Sequence, residues 1–369
     1  MNLVIDKERK QLLELIKGGL WENPIDCSCF KQCDWNELYE LAKIQTVLGV
    51  TADGITKLTK EVQPSMKVKS KWIGPVCEIE KQNIKNRNIL IKVHELLENH
   101  VNHVFMKGET VALRYPNPLR RQSGDIDFVI SKKDFQQTLC LLEHIGDVDR
   151  ALIHEHHGMV IVEDVVIEPH YKVHNYQYPK NDKTMCELFD EIFPDKIQYA
   201  NFDGYEIPVF PITFESVFLI SHMVNHVYEE GLGLRQVIDY AMFLNSEYPK
   251  IDLDLHDYYL ERMNLKRAHR IFVRICEEYL GLPINILNYK YSETEIKFAD
   301  KLMSDILSVG NFGRGKYVFN YDTKLSELNN FLWVAKRCMK LSYLCPTEAY
   351  SWPLMKLNRY FMKKIMKTI

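Results

Sequence analysis

Along the first hundred residues the apolar positions recur three and four apart, the spacing of a helix with one buried face. "DKERKQLLELIKGGLW" (6–21) predicts a helix that stops at Gly18-Gly19. Asp34 is placed to cap "WNELYELAKIQTVLGV" (35–50), with Glu37 at the capping-box position. Pro75 precedes a third periodic stretch, from about Val76 to Val101. The period then changes. "HVFMKG" (103–108) is a short apolar run ending in glycine, "ETVALRYP" (109–116) allows a short helix that Pro116 helps to end, and "DIDFVIS" (125–131) alternates like a strand. "KKDFQQTLCLLEHIG" (132–146) is an amphipathic helix. "HGMVIVEDVVIEPHYKV" (157–173) predicts two strands around a Glu163-Asp164 turn, and "IQYANFDGYEIPVF" (197–210) a hairpin turning at Asp203-Gly204. From Thr213 the helical period returns, in "ESVFLISHMVNHVYEE" and "LRQVIDYAMFLNSE", joined at Gly231 and Gly233. The order is helices, a small α/β core, helices, which predicts an α+β fold with regions 1–100, 101–212 and 213–369.

Composition narrows the class. The net charge of −3 gives no whole-molecule attraction to nucleic acid or membrane. The local balance differs: from Lys336 onwards there are eight Lys or Arg and one acid, Glu348. Within it "WPLMKLNRYFMKKIMKTI" (352–369) is read as a helix with Pro353 in its first turn and a stripe of Leu354, Leu357, Phe361 and Ile365. Docked on the body it presents a solvated basic face; the alternative is a contact with an anionic partner, nucleic acid or membrane. Nine cysteines, an odd number, and charges in "MNLVIDKERK" where a secretory leader needs an apolar core, set the expectation of reduced thiols in a cytoplasmic protein without a transmembrane segment. Cys27, Cys29 and Cys33 are close in sequence but match no paired zinc spacing, so free thiols are expected.

The chemistry concentrates in "MKGETVALRYPNPLRRQSGDIDFVI" (106–130). Asp125 and Asp127 are two apart in a strand and aim to one face, while Ile126, Phe128 and Ile130 face a core. Two neighbouring carboxylates repel, and a divalent cation relieves the repulsion. The bland reading is an edge strand whose aspartates face water. Upstream, Lys107-Gly108 lies between an apolar strand and a helix start, where backbone N–H groups can approach a phosphate.

A strand, a glycine turn, a short helix and a strand bearing D-h-D together resemble the core of the polymerase-β-like nucleotidyltransferase superfamily. The wording is similar to a bacterial family of largely uncharacterised nucleotidyltransferases, with its K-G turn, Y-P-x-P-x-R loop and G-D-I-D strand. "VVIEPHY" (165–171), "HMVNHVYEEGLGLRQVIDYAMFL" (222–244) and "WNELYELAKIQTVLGV" extend the resemblance over most of residues 35 to 245. It implies a small mixed β-sheet nucleotidyltransferase core flanked by N-terminal and C-terminal helical regions. It further implies two Mg2+ ions on Asp125, Asp127 and Glu168, and a nucleoside triphosphate, ATP first, as co-substrate. The phosphates would lie on Gly108 and the N–H groups of Glu109 and Thr110, with Lys107 or Arg121 neutralising pyrophosphate. The acceptor would be a hydroxyl of a small molecule, an RNA end or a protein.

Departures from that pattern mark what is open. Lys107 replaces a second small residue, sixteen residues separate Gly108 from Asp125, and Pro169 follows Glu168 within its strand. Proline removes a ladder donor, and a bulge there would turn Glu168 into the site or away from it. His170 shares a face with Glu168 in a regular strand and either orients that carboxylate or is structural. Arg235 and Asp239 are four apart, the spacing of an ion pair, and the resemblance puts their helix beside the nucleotide. His222 and His226 are also four apart, without an H-E-x-x-H motif or an evident third ligand, and read as packing histidines. His154, His156 and His157 form a cluster without an assigned role. Two other functions stay open: a non-catalytic nucleotide- or RNA-binding module on the same fold, which a misaimed Glu168 would favour, and a helical protein with an incidental D-h-D.

Overall fold

The computed structural model describes residues 5–149, 157–283, 287–313 and 324–366. The chain opens with helices α1 (Lys7–Leu20), α2 (Trp35–Ile44), α3 (Leu48–Thr56) and α4 (Met66–Leu97). Asp6 caps α1 by accepting from the Arg9 N–H, and Asp34 caps α2 by accepting from Asn36 and Glu37. Three sequence expectations are corrected. Gly18-Gly19 does not end α1, which runs on to Leu20. A Cβ on Gly19 would strike the Val50 carbonyl and one on Gly54 the Leu15 carbonyl, so these glycines serve the close approach of α1 and α3. The helix expected over 35–50 breaks between α2 and α3, where Thr46 has φ 55°. The Gln45 side chain at this break donates to the Ile306 carbonyl (3.0 Å) and accepts from the Leu234 N–H (2.9 Å). Helix α4 begins at Met66 and passes through Pro75. The carbonyl that proline cannot serve belongs to exposed Lys71, where water can satisfy it.

The middle of the chain carries β1 (His103–Met106), α5 (Gly108–Ala112), β2 (Ile126–Ile130), α6 (Phe135–Leu142), β3 (Asp147–Val148), β4 (Val160–Val162), β5 (Val165–His170), α7 (Pro179–Asp190), β6 (Gln198–Phe202) and β7 (Tyr205–Val209). The described strands form one sheet in the order β3-β4-β5-β2-β1-β7-β6. It is mixed: β2 pairs parallel with β5, and β1 with β7, while the other neighbours are antiparallel. Both expected hairpin turns are present, with φ positive at Glu163 and Asp164 and at Asp203 and Gly204, as two-residue turns between twisted strands require.

The central strands β1 and β2 are buried on both faces. Phe105, Ile126, Phe128, Ile130, Val160, Val162, Val165 and Ile167 form one core with Ile89, Leu90, Val93 and Leu97 of α4 and Leu139 and Leu142 of α6. The alternate residues Val104, Met106 and Val129 belong to a second, larger core. That core includes α8 (Ile212–Tyr228) and α9 (Leu234–Glu247), and beyond them α10 (Leu253–Arg262), α11 (Lys266–Leu280), α12 (Glu293–Val309), α13 (Lys324–Leu341) and α14 (Pro346–Met366). It runs from Leu12 to Trp352, so the N-terminal and C-terminal helices share it.

The basic C-terminal segment differs from expectation at its start. Helix α14 begins at Pro346, and Pro353 lies inside it rather than in its first turn. Glu348 is turned inward, accepting from the N–H groups of Gln177 (3.1 Å) and Tyr178 (3.2 Å) and from the Asn181 amide (3.0 Å). Burial raises its carboxyl to about 7. The side chains of Phe361 and Ile365 lie outside the described ones. No helix among the described residues is long and apolar enough to cross a membrane. The nine cysteines are unpaired. None belongs to a described group of side chains close enough to share a metal ion.

Candidate functional site

Period-two alternation puts Asp127 on the face of β2 that turns to the larger core, opposite Phe128. The parallel pairing of β2 with β5 then sets Asp127 beside Glu168 in register. Asp125 ends the loop that enters β2. It is exposed, Glu168 is half-buried and Asp127 is buried. One carboxylate oxygen from each of the three lies within 4.8 Å of the others. Pro169 introduces no bulge. The pairs Val162–Val165, Ile161–Val166 and Val160–Ile167 keep one register, and the bridge between His157 and His170 continues it past the proline. The Pro169 carbonyl accepts from the Gly158 N–H at 3.0 Å. A regular strand keeps Glu168 and His170 on the face of Asp127.

Two basic groups share that face. Lys107 Nζ donates to Asp127 Oδ1 at 3.2 Å, and His170 Nε2 donates to the same oxygen at 2.8 Å. Burial alone would lower the Lys107 ammonium, but Asp127, Asp125 and Glu168 outweigh it and hold the pKa above its ordinary value. For Asp127 burial acts upward and is overcome by Lys107 and His170, so its carboxyl stays well below the usual range. His170 is raised, since its bonds to Asp127 and Glu168 exceed the effect of burial. Asp125 is pushed up to about 6, first by the charge on Asp127. Its exposure assigns the larger part of that shift to charge rather than burial. The cluster therefore holds one carboxylate firmly ionised and keeps a second close to its titration point.

The turn before α5 is conformationally unusual. Lys107 has φ 59° and Gly108 φ 46°, left-handed values that favour glycine. This turn carries the chain from β1 into α5 and brings the Lys107 side chain back over Asp127. The Thr110 N–H and hydroxyl are both spent on the Lys107 carbonyl, at 2.9 and 2.7 Å. This corrects the expectation that the Thr110 N–H is open to a phosphate. The Glu109 side chain is buried among Ser123, Arg121 and Arg87, and burial raises its carboxyl.

Arg121, rather than Arg235, takes Asp239 as its partner. Arg121 forms a buried two-pronged pair with Asp239, Nε to Oδ1 at 2.7 Å and Nη2 to Oδ2 at 2.8 Å, and the Tyr115 hydroxyl donates to Oδ1 at 2.6 Å. Arg121 is thus a brace between the loop before β2 and α9, not a cation open to pyrophosphate. Arg235 does not form the expected pair with Asp239; its Nη1 donates to the Gln122 carbonyl at 2.6 Å. Its Nε has no hydrogen-bond partner among the described residues, and Asp125 lies within electrostatic reach. Burial, with the nearby Arg121 charge, holds the Arg235 guanidinium below its ordinary value.

His222 and His226 meet through their Nε2 atoms at 3.1 Å. Burial first, and the Lys107 charge second, lower both, His226 to about 3, so these rings are neutral at pH 7. They form no described group able to share an ion, and their electrostatic link to Lys107 puts them near the site. His154 and His156 lie outside the described residues. His157, which the sequence left without a role, faces the site: its Nε2 lies 3.8 Å from Glu168 Oε2. The signal for it was available. A two-residue turn at 163–164 pairs positions whose numbers sum to 327, and 157 with 170 is such a pair. Tyr115 had no such signal, because its partner is on α9.

A family model described as "Uncharacterised nucleotidyltransferase" matches residues 31–281. No curated protein matches the chain.

Proposed function

The chain belongs to the family of uncharacterised nucleotidyltransferases, and from that premise we propose that it transfers a nucleoside monophosphate from a nucleoside triphosphate, ATP first, to the hydroxyl of an acceptor. One observation carries the reading: Asp125, Asp127 and Glu168 offer oxygens within 4.8 Å of one another on a single face of the sheet. An all-oxygen donor set with one solvent-open carboxylate fits Mg2+, which keeps several waters and shares substrate phosphates. These three residues would hold up to two such ions, which when bound supply charge neutralisation and a lowered hydroxyl pKa.

The rest falls to the chain's own side chains. While its Nε2 carries a proton, His170 fixes the orientation of Asp127 through its 2.8 Å bond. Lys107, now balancing Asp127, is the cation available to the phosphates once that carboxylate is otherwise neutralised. The N–H of Glu109 beside Gly108 completes the phosphate turn. Glu168 receives the acceptor's proton. The acceptor oxygen forms its bond to the α-phosphorus, the bond from that phosphorus to the β-bridging oxygen breaks, and pyrophosphate leaves with the electron pair beside Arg235. Phosphoryl-type transfer needs this positioning more than covalent help from the protein.

The competing reading is a non-catalytic nucleotide- or RNA-binding module. A Glu168 turned away from the aspartates would support it, and the unbroken register of β5 runs against it. Incubating the protein with Mg2+, each triphosphate labelled at the α-phosphate and an extract tests both. Label should move to an acceptor, and Glu168→Gln should prevent it. Tight triphosphate binding with no transfer from any nucleotide to any component would establish the binding module instead.

A further inference from the structure

Two metal-capable groups meet at Glu168. One is the carboxylate set with Asp125 and Asp127; the other is His157, Glu168 and His170, whose donor atoms also lie within 4.8 Å of one another. The second group differs in chemistry. Its Nε2 atoms stand 3.8 Å (His157) and 3.6 Å (His170) from the same oxygen, Glu168 Oε2. The two rings are 5.0 Å apart and inclined by 39°. The backbone fixes this arrangement, since His157 and His170 are bridge partners on the strand pair that turns at Glu163-Asp164. The three side chains are only 12%, 18% and 4% exposed, so the imidazoles are already largely stripped of water.

We propose that His157, His170 and Glu168 form a cation position for a zinc-class ion, adjoining the magnesium-type carboxylate position and sharing Glu168 with it. Mg2+ selects oxygen ligands, whereas imidazole nitrogen suits Zn2+ and its neighbours. Two histidines with one carboxylate are a zinc donor set that leaves a fourth position for water or substrate. Ligand atoms around tetrahedral zinc are about 3.3 Å apart, given metal–ligand distances near 2.0–2.1 Å. The two nitrogen-to-carboxylate separations, 3.6 and 3.8 Å, are a few tenths of an ångström longer, and the two imidazole donors lie within 4.8 Å of one another. The ion replaces the proton that His170 now shares with Asp127, and that proton passes to solvent.

The consequence for catalysis rests on the nucleotidyl-transfer reading. The acceptor hydroxyl would enter the open position, so that the acceptor side and the nucleotide side of the site use chemically distinct ions.

Cobalt(II) is the probe, because its visible absorption reports imidazole ligation and low coordination number without turnover. In the full-length protein, without nucleotide, one equivalent of Co2+ should give strong visible bands that Zn2+ abolishes and millimolar Mg2+ does not. His157→Gln should weaken Co2+ at least about tenfold and alter the bands. Asp125→Asn should leave both within about threefold. Paramagnetically shifted resonances from two imidazoles, read on the unmutated Co2+ protein, give the same answer if His157→Gln does not fold. Bands unchanged by His157→Gln, bands lost in Asp125→Asn, or no shifted imidazole pair would each overturn the proposal. Mg2+-dependent ATP binding, titrated separately, distinguishes the failures. ATP binding without the cobalt site sinks this inference alone, and a cobalt site without ATP binding sinks the nucleotidyl-transfer reading alone.

Discussion

Asp127 and Glu168 are register partners on adjacent parallel strands, and their carboxylates rise from the same face of the sheet. The proline after Glu168 leaves this relationship intact, because the ladder on the other side of β5 keeps its register to His170. Glu168→Gln therefore keeps the shape and removes only a charge at the acceptor side. Turnover should fall by about 10²–10⁴-fold, the range for losing a positioned base. Triphosphate affinity should stay within about threefold, since both aspartates remain. Calorimetric titration alongside single-turnover kinetics checks the split, and a parallel loss of affinity and turnover would count against it.

The two aspartates should respond differently to loss of charge. Asp127 is buried and holds Lys107 and His170, so Asp127→Asn leaves the half-buried Lys107 ammonium without its counterion and the His170 ring without its ionised acceptor. Breaking such a pair costs about 3 kcal/mol. The melting temperature without metal should drop accordingly. Asp125→Asn should instead raise it slightly above pH 6. The folded-state pKa of Asp125, about 6, exceeds its ordinary 3.8, so stability falls as pH rises between the two and stays lower beyond. Asparagine escapes that loss. The gain should be about 2 °C at pH 7.5, discounted for the exposure of Asp125, and absent below pH 4. Equal melting shifts for the two variants would contradict the asymmetry.

Divalent-cation affinity should carry the titration of Asp125. Below about pH 6 the carboxyl is protonated and a cation must displace the proton, so affinity falls about tenfold per pH unit. Above that pH it should level off. Mn2+ binding followed by electron paramagnetic resonance from pH 4.5 to 8 reads this directly. Asp125→Asn should flatten the profile; an unchanged profile would assign the proton elsewhere.

Gly108 has φ 46°, yet a Cβ there would meet only the Asp125 carbonyl at an ordinary 3.4 Å. The obstacle to substitution is backbone conformation rather than space. Gly108→Val should cost about 1–2 kcal/mol. It should also weaken triphosphate at least about tenfold while leaving adenosine within about twofold. Equal weakening of both ligands would tie Gly108 to folding or base contact.

Arg121 and Arg235 should separate cleanly. Asp239→Asn removes the buried partner of Arg121, lowers stability by about 3 kcal/mol, and leaves triphosphate affinity of the folded protein unchanged at low temperature. Arg235→Ala should weaken triphosphate about tenfold more than adenosine. Thermal melts and nucleotide titrations on both variants decide the assignment, and the reverse pattern would return Arg121 to the phosphate site.

The sequence by itself determined what is local. Period-two alternation fixed that Asp125 and Asp127 share a face and that Ile126, Phe128 and Ile130 take the other, and the two-residue turns fixed both hairpins and the opposition of His157 to His170. The glycine turn and short helix before the aspartates were legible for the same reason: each is set by a few consecutive residues. Only the tertiary structure decided which strand lies beside β2, and hence that Glu168 meets Asp127. It also decided that Arg121 spends its charge on Asp239, 118 positions away, and that Arg235 turns instead to the Gln122 carbonyl. Gly18 and Gly19 read as a helix stop until Ile25 closed over the first and α3 over the second. Periodicity specifies the face a side chain takes along its own element. The partner across the gap follows from packing among distant elements, whose burial outweighs local preference.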